Sequence, residues 1–318
     1  MEKNAKIFVA GNETMVGAAI LRRLKEGGFT DPVIRTSSEL DLTNQKMVSD
    51  FFADEKPDYI FLTGARAGGI LANIKYPAEF IYSNIQSQTN VIHSAWKHGV
   101  KKLLFLGSSC SYPKDCPQPM KEEYLLTSKL EPTNEPYAIA KIAGMKMCQS
   151  YNLQYGTNYI SAVPADLYGP DDDFDPETSH VLPALITKMH EAKISNEGKV
   201  TVWGTGSPRR EFFHVDDLAD ACIFLMNHYN KSEIINVGCG EELSIKELAL
   251  LIQEVVGFKG EIEFDQSKPD GFPRKILDAS KIRKLGWSPK ICTESGIRQT
   301  YQWYQNKVAP KMSAEVYQ

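Results

Sequence analysis

From its N-terminus the chain alternates short, unbroken apolar runs with longer stretches in which apolar residues recur every three or four positions. Lys6 to Ala10 is such a run. After the turn at Gly11, apolar residues fall at Val16, Ala19, Ile20 and Leu24, the spacing of one helix face. The same reading predicts strands over 32–35, 59–63, 102–107 and 159–163, and helices over 45–53, 77–98 and 138–155. Runs without polar alternation, such as KLLFLG, fit strands covered on both faces. Strands alternating with helices predict an α/β fold, a Rossmann-type doubly wound parallel sheet.

Beyond residue 163 the rhythm changes. Pro164 to Pro183 is rich in Pro, Asp and Gly and reads as one long functional loop. Strands over 200–203, 234–237 and 261–264 and a helix over 245–256 predict a smaller C-terminal α+β region. The expected organisation is one domain over 1–165, with returning segments around 210–240, and a second over 166–318. The tail beyond Lys307 is polar and expected to fray.

Composition narrows the classes. At 318 residues and 42% apolar content the chain can bury a substantial core. Its net charge is only −4 and its basic residues are dispersed, so no nucleic acid is expected as partner. No stretch has the apolar length to cross a bilayer, and the N-terminus runs straight into a strand pattern. No membrane partner and a cytoplasmic location are therefore expected. The six cysteines lack zinc-like spacing, so they read as reduced and no metal is expected.

Between the first strand and helix, GNETMVG places Gly11 and Gly17 at the outer positions of a GxxGxxG spacing, with Thr14 in the middle. Such a turn aims backbone N–H groups and a helix N-terminus at a pyrophosphate, which makes Gly11, Thr14, Met15, Val16 and Gly17 candidate dinucleotide contacts. A Cβ at Thr14 is expected to push the pyrophosphate outward or shift the turn, weakening cofactor affinity. Arg35, closing the second strand, suits the 2′-phosphate of NADP, so NADP(H) is expected and NAD(H) is left open. Glu13 works against that preference.

Ser108-Ser109-Cys110 closes the fourth strand, and Tyr137 and Lys141 stand four apart on one helix face. An ammonium beneath the phenol is expected to lower its pKa, with Ser108 holding a substrate oxygen for proton transfer from Tyr137. That layout serves hydride exchange at a sugar carbon.

With these motifs the sequence resembles the GDP-L-fucose synthases, 3,5-epimerase/4-reductases of the extended short-chain dehydrogenase family. The likeness runs through LFLGSSCSYP, LEPTNEPYAIAKIAG, DLYGPDDDF, SHVLPAL, SPRREFFHVDDLADA, INVGCG and SKPDGFPRK. It implies Ser108, Tyr137 and Lys141 as a reductase triad, and Cys110 and His180 as epimerase base and acid. A thiolate and an imidazole on opposite faces of a sugar ring can exchange protons α to a keto group. Tyr137, Lys141, Asp166 and His180 are implied beside the cofactor, and a GDP-linked 4-keto sugar against Lys188, Trp203, Arg210 and the Ser267–Lys275 loop, with Lys268 and Asp270. Arg209 and Arg210 equally suit ion pairs with Glu211, Asp216 or Asp217. The implied reaction is NADPH-dependent conversion of GDP-4-keto-6-deoxy-D-mannose to GDP-L-fucose, by a homodimer joined through helices near 77–98 and 137–155. The first domain would hold the dinucleotide and the second the sugar nucleotide.

The chain departs from the family's pattern at Thr14, Glu13 and Arg66, at Asp166 in place of an Asn, and at Asp171-Asp172-Asp173 in place of His-Asp-Asn. The added negative charge leaves two other readings open. One is a reductase or epimerase of a related GDP-4-keto sugar, another deoxy sugar or a heptose. The other is a non-catalytic sugar-nucleotide-binding protein with an impaired cofactor loop.

Overall fold

A computed structural model describes residues 1–175, 178–268 and 270–310. The first half of the chain forms β1 (Ile7–Ala10), α1 (Met15–Glu26), β2 (Pro32–Val33), α2 (Gln45–Glu55), β3 (Tyr59–Leu62), α3 (Ile70–Lys75), α4 (Pro77–Lys97), β4 (Lys102–Leu106), α5 (Glu135–Tyr155) and β5 (Tyr159–Pro164). The second half adds β6 (Asp166–Tyr168), α6 (Val181–Ile194), β7 (Lys199–Trp203), β8 (Arg209–Arg210), β9 (Phe212–His214), α7 (Val215–His228), β10 (Ile235–Val237), β11 (Leu243–Ser244), α8 (Ile245–Val256), β12 (Glu261–Asp265), β13 (Arg274–Lys275), α9 (Ser280–Lys284) and α10 (Thr293–Lys307).

Six strands in the order β2-β1-β3-β4-β5-β10 make one parallel sheet. β1, β3, β4 and β5 are buried along their whole length, as their unbroken apolar runs require. α1 packs on α7, and α4 packs on α5 and α2. Strand order reverses between β1 and β3, so a crevice opens at their carboxyl ends, the usual ligand position of a doubly wound sheet. β10 returns from residue 235 to extend this sheet beside β5.

A second apolar cluster gathers Leu185, Ile186 and Met189 of α6, Val200 and Val202 of β7, Leu248 and Ile252 of α8, and Tyr301 and Tyr304 of α10. Around it lie the pair β7-β12, the ribbon β11-β8-β13 and the pair β6-β9.

The structure corrects two boundaries. The expected loop over 164–183 is shorter: β5 runs through Pro164, β6 pairs with β9, and α6 begins at Val181. β2 stops at Val33, leaving Arg35 beyond it. It also adds helices α6 and α7, each with eight of its fourteen residues buried. The expected frayed tail falls largely on residues 311–318, outside the described residues. Among the described residues no helix is long and apolar enough to cross a membrane, and no cluster of His, Cys, Asp and Glu could hold a metal ion.

Candidate active site

The turn after β1 is built on close backbone approach. Gly11 has φ +99, and a Cβ there would lie 2.3 Å from the Gly64 Cα beyond β3. A Cβ on Gly17 would meet the Gly11 carbonyl oxygen at 2.1 Å. Both glycines are therefore dictated by the switch between β1 and β3. Thr14 is not a distortion. At φ −80 it caps α1, donating to the Gly11 carbonyl (2.7 Å) and accepting from the Gly17 N–H (3.1 Å), so the expected shift of the turn is absent. No acidic residue occupies the first turn of α1, where Met15 and Val16 open the helix. Glu13 accepts from the Ser37 N–H (2.6 Å). Arg35 lies beside the turn, its N–H on Asn12 Oδ1 (3.3 Å), and its guanidinium pairs with Glu55.

Ser108 follows β4 and caps a single 3₁₀ turn, its Oγ accepting from the Cys110 N–H (3.2 Å). From α5, Tyr137 and Lys141 reach the same place. Phe80 meets the Tyr137 ring edge-on at 6.3 Å between centroids. Lys141 is 3% exposed, and burial pulls its pKa down to about 8. Its ammonium donates to the Leu106 carbonyl (2.8 Å) and stands 5.8 Å from the Tyr137 ring centroid. Burial, reinforced by the neighbouring Cys110, raises the Tyr137 phenol, and the hydrogen bond with Ser108 opposes this. The expected lowering by Lys141 is thus not seen, because the ammonium is directed at a carbonyl rather than the phenol oxygen.

Cys110 meets residues remote in sequence. Lys275 Nζ lies 3.6 Å from Cys110 Sγ and 2.6 Å from Asp166 Oδ1. Burial opposes the Asp166 carboxylate, but Lys275 holds it below its usual range. His180 stands at the N-cap of α6, its side chain open to the cleft yet surrounded by protein. Desolvation lowers its pKa, and Asp166 counteracts this. Arg210 donates to the Arg209 carbonyl (2.8 Å), with Asp166, Cys110 and Asp270 close enough to act on its charge.

Further along, Trp203 is half exposed, with the Lys188 and Lys268 ammonium groups 5.9 and 5.4 Å from its ring centroid. Asp270 accepts from Thr205 N–H (2.7 Å) and Oγ1 (2.8 Å), which ties it to the loop after β7. The suggested ion pairs of Arg209 and Arg210 with Glu211, Asp216 or Asp217 do not form. Arg209 pairs with Glu242 and Glu247, Asp216 pairs with Arg22, and Asp217 accepts from the Lys290 and Ile291 N–H groups. Arg66 pairs with Glu79. The negative charge added at 171–173 is partly cancelled: Asp171 pairs with Arg22 (2.6 Å), and burial pushes Asp172 up to about 7.

The structure thus brings Ser108, Cys110, Tyr137, Lys141, Asp166, His180 and Arg210 to one cleft, and adds Lys275. The sequence offered one signal for that lysine, its place at the end of SKPDGFPRK.

Comparison with known proteins places this geometry. A model of the NAD dependent epimerase/dehydratase family matches residues 7–238. The chain is 61% identical to a putative GDP-L-fucose synthase 2 of Arabidopsis thaliana, over 98% of this chain and 95% of that protein. It is 52% identical to the GDP-L-fucose synthase of Escherichia coli strain K12, over 94% of this chain and 96% of that one. Among solved structures it is similar to a GDP-mannoheptose C4 reductase from Campylobacter jejuni with NADP bound (TM-score 0.88, 43% identity, 96% of this chain and 99% of that one).

Proposed function

We infer the activity from one premise: the chain belongs to the NAD dependent epimerase/dehydratase family and, within it, to the GDP-L-fucose synthases. It is an NADPH-dependent enzyme that epimerises C3 and C5 and reduces C4 of a GDP-linked 4-keto-6-deoxy-hexose, taking GDP-4-keto-6-deoxy-D-mannose to GDP-L-fucose. The observation that carries this reading is the meeting of a thiol (Cys110) and an imidazole (His180) with the Ser108–Tyr137 pair in one cleft.

The residues around the first turn suit the dinucleotide. The tight turn that Gly11 and Gly17 permit, and a first turn of α1 without acidic residues, suit a pyrophosphate on Gly11, Thr14, Met15, Val16 and Gly17. Arg35 answers a 2′-phosphate once Glu55 shares it, which favours NADP(H) over NAD(H). NADPH, when bound, supplies the hydride for C4. Cys110 takes a proton from the carbon next to the keto group, and His180 returns one to the opposite face, inverting C3 and then C5. Ser108 holds the C4 oxygen while Tyr137 protonates it. Lys141 and Asp166 would hold the nicotinamide ribose. Lys188 and Arg210 meet the diphosphate, Trp203 offers its face to the base or sugar, and Lys268 and Asp270 close that end.

In this reading residues 1–165, with segments near 210–240, hold the dinucleotide, and 166–318 mainly hold the sugar nucleotide. The enzyme works as a cytoplasmic homodimer.

Incubation with GDP-4-keto-6-deoxy-D-mannose and NADPH in deuterium oxide tests the reading. Deuterium at C3 and C5 with one NADPH consumed per product is expected. Tyr137→Phe should slow reduction by about 10²- to 10⁴-fold while leaving wash-in. Reduction without wash-in would make the chain a pure reductase of a related GDP-4-keto sugar, and absence of both turnover and NADPH binding would make it a sugar-nucleotide-binding protein.

A further inference from the structure

Lys275 touches the thiol of this site and has been given no task. It ends β13, in register with Arg210 of β8, and 165 residues separate it from Cys110. Its side chain is 12% exposed. A lysine is ordinarily a mobile cation, but here the strand beneath it is fastened on every side. Buried Glu211 accepts from the Leu277 N–H (2.8 Å) and the Gly240 N–H (2.6 Å). The Ile276 N–H donates to Gln118 Oε1 (3.0 Å), and its carbonyl accepts from the Met120 N–H (2.8 Å). The ammonium is thus delivered to the gap between Cys110 and Asp166 by the fold.

That position has a chemical consequence. A thiol cannot take a proton from carbon until it has lost its own, and an adjacent cation favours the thiolate. The charged or titratable groups that act on Cys110 are Tyr137 from α5, Arg210 from β8 and Lys275 from β13. Tyr137 is neutral, and Arg210 spends a donor on the Arg209 carbonyl, while Lys275 makes the direct sulfur contact. Asp166 anchors the same ammonium from its other side, and His180 faces that ion pair.

We propose that Lys275 is the positioning residue of the epimerase half-reaction: anchored by Asp166, its ammonium holds the Cys110 sulfur aimed into the cleft and pairs with the thiolate that proton abstraction requires, and the Asp166 carboxylate moderates that hold. The proposal rests on the reading of Cys110 as the epimerase base. In the step itself Sγ takes the proton from the substrate carbon, the C–H electron pair passes to the keto oxygen as an enolate, and Lys275 keeps its own protons. The Asp166 carboxylate offsets part of the cation's field at sulfur.

The test is the pH dependence of iodoacetamide alkylation of the resting full-length enzyme, followed at the Cys110 peptide by mass spectrometry. Wild type, Lys275→Met, Lys275→Arg and Asp166→Asn are compared. Buried Cys148 and Cys222 must stay unmodified throughout, which reports an intact fold. Lys275→Met should slow Cys110 alkylation at pH 7 about tenfold and move its pH midpoint upward, the size of one pK unit. Lys275→Arg should keep most of the rate, and Asp166→Asn should raise it and move the midpoint down. Deuterium wash-in at C3 and C5 should fall with alkylation in Lys275→Met and be largely restored in Lys275→Arg. Wild-type wash-in with Cys110 alkylation unaltered in Lys275→Met overturns the role of Lys275 alone. Absence of wash-in from the wild type overturns the functional reading, and the epimerase role with it.

Discussion

At position 14 a threonine stands where a glycine would admit the closest approach of a ligand, and its neighbours show what it does instead. It both donates to and accepts from the turn it closes, at an ordinary φ of −80. Thr14→Ala should lower stability by about 1 kcal/mol and Thr14→Gly by only a few tenths, read as midpoints of urea unfolding. Equal losses would show that the hydroxyl is not the cap. Lys141 makes a second case at this scale. Its pKa is about 8 in the folded protein against 10.5 for an ordinary lysine, so between these values the unfolded chain holds a proton that the folded one has released. Stability contributed through Lys141 therefore rises with pH across that window, is lost as pH falls to about 8, and is level below it. The stability of wild type relative to Lys141→Met should climb between pH 8 and 10 by at most about 1.4 kcal/mol per unit and stay flat from pH 6 to 7. A difference that did not change with pH would show that Lys141 is not desolvated. Ser108, Tyr137 and Lys141 were legible in the sequence because a strand end and a four-residue helical spacing are local facts. For Lys275 only its place in SKPDGFPRK was legible and its contact with Cys110 was not, because the two are brought together by a strand ribbon that no local pattern announces.

The same contrast governs elements. β1, β3, β4 and β5 are readable as unbroken apolar runs because both faces of the sheet are covered. β6, β8, β11 and β13 have two or three residues each and exist only as partners, β6 of β9 and β8 of β11 and β13, so nothing inside them marks a strand. α6 and α7 escape for another reason: Pro183 in the first turn of α6 reads as a breaker, and Asp216, Asp217 and Asp220 interrupt the apolar spacing of α7. Where elements join, single side chains carry the connection. Lys102, 4% exposed at the start of β4, donates to the carbonyls of Leu225 (3.2 Å), Met226 (2.9 Å) and Tyr229 (2.6 Å) and to Asn230 Oδ1 (2.8 Å), closing the C-terminal end of α7. Lys102→Met keeps the aliphatic stem and removes the ammonium from these acceptors, of which the Leu225 carbonyl keeps the Tyr229 N–H and Asn230 Oδ1 keeps the Asn158 amide. A loss of about 1–3 kcal/mol is expected, with faster amide exchange confined to the last turn of α7. An unchanged exchange pattern would assign the cost to β4 packing instead.

At the scale of the whole molecule, the pairing of α4 with α5 leaves a surface that the single chain does not use. Two helices of 21 residues each lie together. Tyr82 is 65% exposed, Ile139 41%, Leu153 91% and Tyr155 44%, with Tyr155 stacked on Trp96 at 4.3 Å. These exposed apolar side chains are spread along both helices, and we propose them as the contact between two copies of the chain. Two copies related by a two-fold axis would each offer the same pair of helices, and such an interface is complementary to itself. The consequence reaches the chemistry, because α5 carries Tyr137 and Lys141 and α4 carries the Phe80 that holds Tyr137 edge-on. Covering these helices should therefore steady the Ser108–Tyr137 geometry as well as bury area. Leu153→Asp places a charge in the last turn of α5, beside the Trp96–Tyr155 stack, where loss of a buried contact is worth about 2 kcal/mol, roughly thirtyfold in the dissociation constant. Sedimentation velocity should show the wild type as a dimer and the variant shifted to monomer at micromolar concentration, with kcat falling in step with the dimer fraction and recovering as protein concentration rises. A variant that stays dimeric would place the interface elsewhere, and a monomer with full kcat would separate assembly from the catalytic helix.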